Sequence, residues 1–152
     1  MTAVTLERPP ADASTRVCPR EDWYVESTAL VKLILDEPGS AALARWLDGL
    51  LDAGGSVLTS DLGRTEAYRA VARNDPHALP GTRVTLESLL RIRMTEHTYV
   101  LAMELEPAVL RTLDALHLAV VLGLDGRCAG IVTYDPRIVA AAEALGIRTI
   151  SP

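Results

Sequence analysis

Phenylalanine is absent from this 152-residue chain, and two tryptophans and four tyrosines are its only aromatic residues. A core built without phenylalanine must come from Leu, Val, Ile and Ala, and the chain is long enough to bury one sizeable core of that kind. Cysteine is nearly absent as well. Cys18 and Cys128 are too few and too far apart in sequence for a disulfide framework or a zinc site, which fits a reduced, cytoplasmic setting. No uncharged apolar run approaches the roughly 18 residues of a membrane span, so no membrane association is expected. The opening residues, "MTAVTLERPPADASTRVCPRED", lack the basic-then-apolar layout of a secretory leader.

Lysine is almost missing too: Lys32 stands alone, and arginine supplies every other full positive charge. With Asp+Glu 20 against Lys+Arg 15, the formal charge of −5 excludes a broad cationic coat for nucleic acid. It does not exclude cleavage of nucleic acid. An acidic site that holds divalent cations presents a less negative face than its formal charge suggests.

What is present is alternation. Residues 1–21 are polar and proline-rich without usable periodicity, and read as a flexible extension preceding one domain over residues 22–152. Trp23 to Glu26 reads as a strand, after which Ser27 or Thr28 caps a helix through Leu35. A helix from Ser40 carries Leu43, Trp46, Leu47, Leu50 and Leu51 at helical spacing. "SVLTS" is the second strand, Leu62 to Arg73 a helix, "NDPHALPG" a loop, Arg83 to Leu90 a helix and "RIRM" a weak strand. Thr95 caps a helix through Leu105. "TLDALHLAVVLGL" is apolar nearly all round and reads as a buried helix. "GIVTY", "PRIVAAAEAL" and "IRTI" complete the series as strand, helix and strand. Such alternation implies an α/β/α sandwich around a central, mostly parallel sheet, whose functional crevice lies at the carboxyl ends of the strands.

Four carboxylates stand where that crevice would be. Glu26 and Asp135 each close a strand, and each could simply stabilise the positive end of the next helix. Glu66 borders the apolar stripe of its helix, a place where glutamate is usually solvated. Asp114 lies in the first turn of an apolar helix and therefore needs a partner. His117, one turn on, is either a satisfied helix histidine or a group that orients Asp114. If the four acids converge, each pair of charges about 4 Å apart costs roughly 4 kcal/mol at an effective dielectric near 20. A hard divalent cation would offset this, and all-oxygen ligands select Mg²⁺ or Mn²⁺ over zinc. Metal-dependent hydrolysis of a phosphate ester is the chemistry implied. Arg64, Arg111 and Arg137 flank three of the acids and are candidates for phosphate contact.

The segments "YVESTALVKLILDEPGS", "LTSDLGRTE", "LRTLDALHLA" and "VTYDPRIVAAAEALGI", in this order and at these separations, resemble a PIN-domain ribonuclease of the VapC toxin type. The resemblance runs from about Trp23 to Pro152. It implies a five-stranded parallel sheet, an acidic Mg²⁺ site that cuts structured RNA, a homodimer, and a cognate VapB-like antitoxin that masks the groove. The family's four acids fall, in order, on Glu26, Glu66, Asp114 and Asp135. Thr28 and Thr133 match the small hydroxyl positions that border the metal. Glutamate replaces the family's aspartate at position 26, which leaves a second reading: a weakened PIN domain that binds antitoxin or RNA without cutting. A receiver domain would need a lysine after a late strand, and a haloacid-dehalogenase-type phosphatase an Asp-x-Asp at the first strand. Neither is present.

Overall fold

The computed structural model describes residues 21–152. The expected extension at 1–21 therefore lies outside the described residues, apart from Glu21. That residue is tied to the domain: its carbonyl accepts from Ser56 N at 3.1 Å, and its carboxylate accepts from the Trp23 indole and from Arg148. Those two donors hold its carboxyl below the usual carboxylate range.

Five strands alternate with helices: β1 (Asp22–Val25), α1 (Ser27–Ile34), α2 (Ser40–Asp52), β2 (Ser56–Ser60), α3 (Asp61–Asn74), α4 (Leu79–Ser88) and β3 (Leu90–Ile92). Then follow α5 (Glu96–Glu104), α6 (Thr112–Gly123), β4 (Gly130–Val132), α7 (Pro136–Ala144) and β5 (Thr149–Ile150). All pairings are parallel, in the order β3-β2-β1-β4-β5. The chain builds outward from β1 through β2 to β3, then crosses back to lay β4 on the other side of β1. The strand order therefore reverses between β1 and β4, and a crevice opens at their carboxyl ends.

The period-two geometry of β1 divides the core. Trp23 and Val25 face a cluster with Leu30, Leu43, Ala67 and Leu86, drawn from α1 to α4. Tyr24 faces the opposite cluster, with Leu118, Ile131, Ile138 and Ala142 of α6, β4 and α7. Helices thus cover both sheet faces, giving the three-layer sandwich. α6 is buried through Asp114, Ala115 and His117 to Val121, as its all-round apolarity requires.

Several boundaries differ from the sequence reading. The cap of α1 is neither Ser27 nor Thr28 but Glu26, whose carboxylate accepts from Thr28 N. "NDPHALPG" is not a loop: Pro76–Ala78 forms a 3-10 turn, and α4 starts at Leu79 with Pro80 in its first turn, where a missing N–H costs nothing. α4 then ends at Ser88, and β3 is shifted to Leu90–Ile92. Leu51, counted among the inward residues of α2, is half exposed. The lone Lys32 is structural: it donates to Pro38 O at 2.9 Å, pairs with Glu37 and lies 4.9 Å above the Tyr134 ring. No helix among the described residues is long and apolar enough to cross a membrane.

Candidate active site

The crevice gathers carboxylates from four separate elements. Glu26, Glu66, Asp114 and Asp135 all line one cavity of about 280 Å³, together with Ser27, Thr28, Arg111, His117 and Arg137. Glu26 continues the extended backbone of β1 by one residue, so it emerges on the Tyr24 face. It is 2% exposed. Its Oε2 accepts from Thr28 N at 3.1 Å, Thr28 Oγ1 at 2.6 Å and Thr133 Oγ1 at 2.9 Å, and its Oε1 accepts from Ser27 Oγ. The hydroxyls of Thr28 and Thr133 thus stitch the ends of β1 and β4 together through one carboxylate. Thr28 Oγ1 in turn accepts from Tyr134 N, and Thr133 Oγ1 from Asp135 N.

Glu66, at the cavity face of α3, is held by His117 Nε2 at 2.6 Å from its Oε2. The same nitrogen lies 3.9 Å from Glu26 Oε1. Ligand atoms of Glu26, Glu66 and His117 all fall within 4.8 Å of one another, a grouping able to hold a metal ion. Asp114 and Asp135 form the other part of the lining. Asp135 caps α7 through Arg137 N and takes a side-chain bond from Arg137 Nη2 at 2.6 Å. Asp114 lies in the first turn of α6, only 6% exposed, and its Oδ2 is buried without a hydrogen-bond partner. Arg137 Nε is 3.5 Å away, too far to satisfy it. Burial pushes the Asp114 carboxyl above the usual range, the Arg137 charge pulling against this and the Asp135 charge adding to it.

The PIN domain family matches residues 23–144 of the chain. Ribonuclease VapC47 of Mycobacterium tuberculosis is 37% identical over 130 residues, covering 85% of this chain and 96% of that protein. Ribonuclease VapC46 of the same species is 37% identical over 129 residues, with the same coverage. The chain belongs to the PIN-domain family, among its VapC members. Its backbone also superimposes on the crystal structure of Mycobacterium tuberculosis VapC20, a toxin described as cleaving the sarcin-ricin loop. There the TM-score is 0.66 at 16% identity, over 86% of this chain and 99% of that one, a likeness of fold.

In this VapC-family chain the arginines are distributed differently from the sequence reading. Arg111 and Arg137 line the acidic cavity. Arg64 does not: it faces a separate hollow with Tyr68, Arg69 and Arg83. Two residues before Glu66 on a helix is about 200° around the axis, so the pair cannot share a face. The residues that do share it are Arg69 and Arg73, three and seven positions on. Together with Ser27, Thr28, Glu66 and Leu113 they line a groove that runs into the acidic cavity. Helical spacing from Glu66 was the signal that would have found them.

His117 is a satisfied helix histidine, buried with a partner at each ring nitrogen, and it does not orient Asp114. It points to Glu66, not Asp114, because the other end of the ring is anchored below the cavity. Its Nδ1 is 2.7 Å from Tyr24 OH, which is 2.7 Å from Ser60 Oγ, which accepts from Gly63 N. With the Ser60 proton turned to Tyr24, the Tyr24 proton to Nδ1 and the ring proton on Nε2, each donor in this buried chain meets an acceptor. Burial raises the Tyr24 hydroxyl well above its ordinary pKa, so it stays protonated and keeps its place as donor. Both ring nitrogens are therefore engaged, and the donors left for an ion are carboxylate oxygens. The buried, orphaned Asp114 Oδ2 suits a hard divalent cation.

Replacing His117 by Ala should leave Glu66 untethered and the Tyr24 hydroxyl short of a partner. The expected loss is about 1–3 kcal/mol of stability and about 10- to 100-fold in RNA cleavage. Thermal unfolding and a cleavage assay read the two effects, and parental behaviour in both would show that the ring positions nothing.

Proposed function

We propose that this VapC-family protein is a metal-dependent endoribonuclease, the toxin of a type II toxin–antitoxin pair, acting in the cytoplasm on RNA phosphodiester bonds. One observation carries the reading: four carboxylates from β1, α3, α6 and α7 line a single cavity that opens into an arginine-bordered groove. The ribonuclease names of relatives at 37% identity support it. Glu26, Glu66, Asp114 and Asp135 would hold Mg²⁺, with Mn²⁺ the alternative. When bound, such an ion supplies Lewis acidity and offsets negative charge developing at the scissile phosphate.

The protein's own groups do the rest. Arg69, Arg73 and Arg111 bind backbone phosphates along the groove, through guanidinium forks suited to them. Glu66 has the most open side chain of the four acids, 26% exposed against 16% for Asp135, 9% for Asp114 and 3% for Glu26. His117 fixes its Oε2, which leaves Oε1 to face the attacking water. Thr28 and Thr133 hold Glu26 in place. A VapB-like antitoxin and a second copy of the chain are the proposed partners. The exposed Tyr99, Val100 and Met103 on α5 offer apolar area of the kind a dimer buries.

Binding without cutting is favoured by a single feature. Each Glu26 oxygen already accepts bonds from the protein, four in all, so little of this carboxylate is left for an ion. Cleavage of total RNA titrated with Mg²⁺ separates the two readings. Activity that rises with Mg²⁺ and vanishes in excess EDTA is expected. Cleavage that persists in EDTA would remove the metal from the reading, and bound metal with no cleavage would favour the binding role.

A further inference from the structure

Arg137 is part of the acidic cavity in an unusual sense: its side chain occupies a cation's place. Its backbone N–H and Nη2 both bond Asp135, at 2.9 and 2.6 Å, and its Nε faces Asp114 Oδ2 at 3.5 Å. Asp114 and Asp135 reach the same guanidinium from the first turn of α6 and the cap of α7, and two like charges gathered on one cation repel each other. Arg137 offsets that repulsion from the side, but only partly, since Asp114 Oδ2 remains without a hydrogen bond. The backbone of Arg137 is fixed by the α7 cap, whereas its side chain is half exposed.

We infer that Arg137 is an internal counter-cation that competes with the divalent ion for Asp114 and Asp135, so that ion and RNA phosphate bind cooperatively. The inference rests on the proposed metal site and goes beyond it. A monovalent guanidinium beside two carboxylates both blocks and repels an incoming cation. A backbone phosphate entering the groove offers the guanidinium a better-matched, bidentate partner. Once Arg137 turns to it, both carboxylates are released for the ion. Linkage makes the effect reciprocal: whatever tightens the ion when phosphate is present also tightens phosphate when the ion is present. Arg137 is in this sense a positioning residue for the ion.

The test is Mn²⁺ titration by calorimetry on the full chain, for the parent, Arg137→Gln and Arg137→Lys. Each is measured with and without a single-stranded 2′-deoxy oligonucleotide whose integrity is checked on a gel. Without oligonucleotide, Arg137→Gln should bind Mn²⁺ on the order of tenfold more tightly than the parent, with Arg137→Lys between them. The oligonucleotide should tighten Mn²⁺ binding by the parent several-fold more than it does for Arg137→Gln, where only direct attraction between ion and phosphate is left. Damage to the fold would weaken ion binding, so a gain in affinity cannot come from a merely structural role. Equal or weaker Mn²⁺ binding by a folded Arg137→Gln protein overturns the inference. If that variant does not fold, the same result for Arg137→Lys overturns it. Failure of the parent itself to bind Mn²⁺ would instead remove the metal-site reading, and this inference with it.

Discussion

Asp114→Asn is expected to abolish RNA cleavage while making the metal-free protein more stable. Loss of a carboxylate that stabilises charge through an ion removes several kcal/mol of transition-state stabilisation, roughly a thousandfold or more in rate. Stability moves the other way. Asp114 is buried with an orphaned oxygen, and burial, opposed by Arg137, leaves its carboxyl above the ordinary range. A carboxyl whose folded value is raised keeps more protons in the folded state. Its penalty is absent in acid, sets in as pH rises through the ordinary carboxylate range, and is complete above the folded value. Asparagine carries no such penalty. The melting temperature of Asp114→Asn should exceed that of the parent at neutral pH, and the gap should close in acid. Added Mn²⁺ should raise the parent's melting temperature and leave the variant's unchanged. A variant less stable than the parent at neutral pH without metal would show that Asp114 is held by the fold, not by a cation.

Glu26→Ala should also stop cleavage, but with loss of stability. Glu26 is the N-cap of α1 and, among the described residues, the only carboxylate bonded to both Thr28 and Thr133, so its removal uncaps a helix and strands the buried Thr133 hydroxyl. Cap loss costs about 0.5–2 kcal/mol, and an unsatisfied buried donor adds about 1–3 kcal/mol where no substitute is found. The melting temperature should drop by several degrees, at neutral and at acid pH alike if the cap geometry dominates. A cleavage rate equal to the parent's would remove Glu26 from the proposed site. The opposite signs at positions 26 and 114 separate a carboxylate the fold depends on from one it tolerates. They also give a physical sense to the glutamate at the family's aspartate position. The longer side chain reaches back to cap α1 and across to Thr133, and both bonds are made by Oε2.

Periodicity carried most of the fold because the central strands β1, β2 and β4 are buried, and buried parallel strands and amphipathic helices leave different spacings in sequence. It failed where local chemistry was ambiguous. "NDPHALPG" reads as a loop from its prolines, yet Pro80 sits in a first turn that has no use for the N–H it lacks. Ser27 and Thr28 are better caps by propensity than Glu26, but the backbone leaves β1 still extended at Glu26 and puts that carboxylate over the turn.

The residues of the candidate site were legible by type and order; their partners were not. Spacing within a helix was enough to place His117 one turn from Asp114, but only packing against β1 and α3 decided that its ring bridges Tyr24 and Glu66. Likewise Arg137 follows Asp135 by two residues in any conformation, whereas its approach to Asp114 exists only because α6 and α7 cover the same face of the sheet. Sequence alone determined the alternation of elements and the acids at their ends, since both are set within a few residues of chain. Which charge neutralises which was left to the tertiary structure, because electrostatic energy depends on separation in space, and here the partners come from elements far apart in sequence.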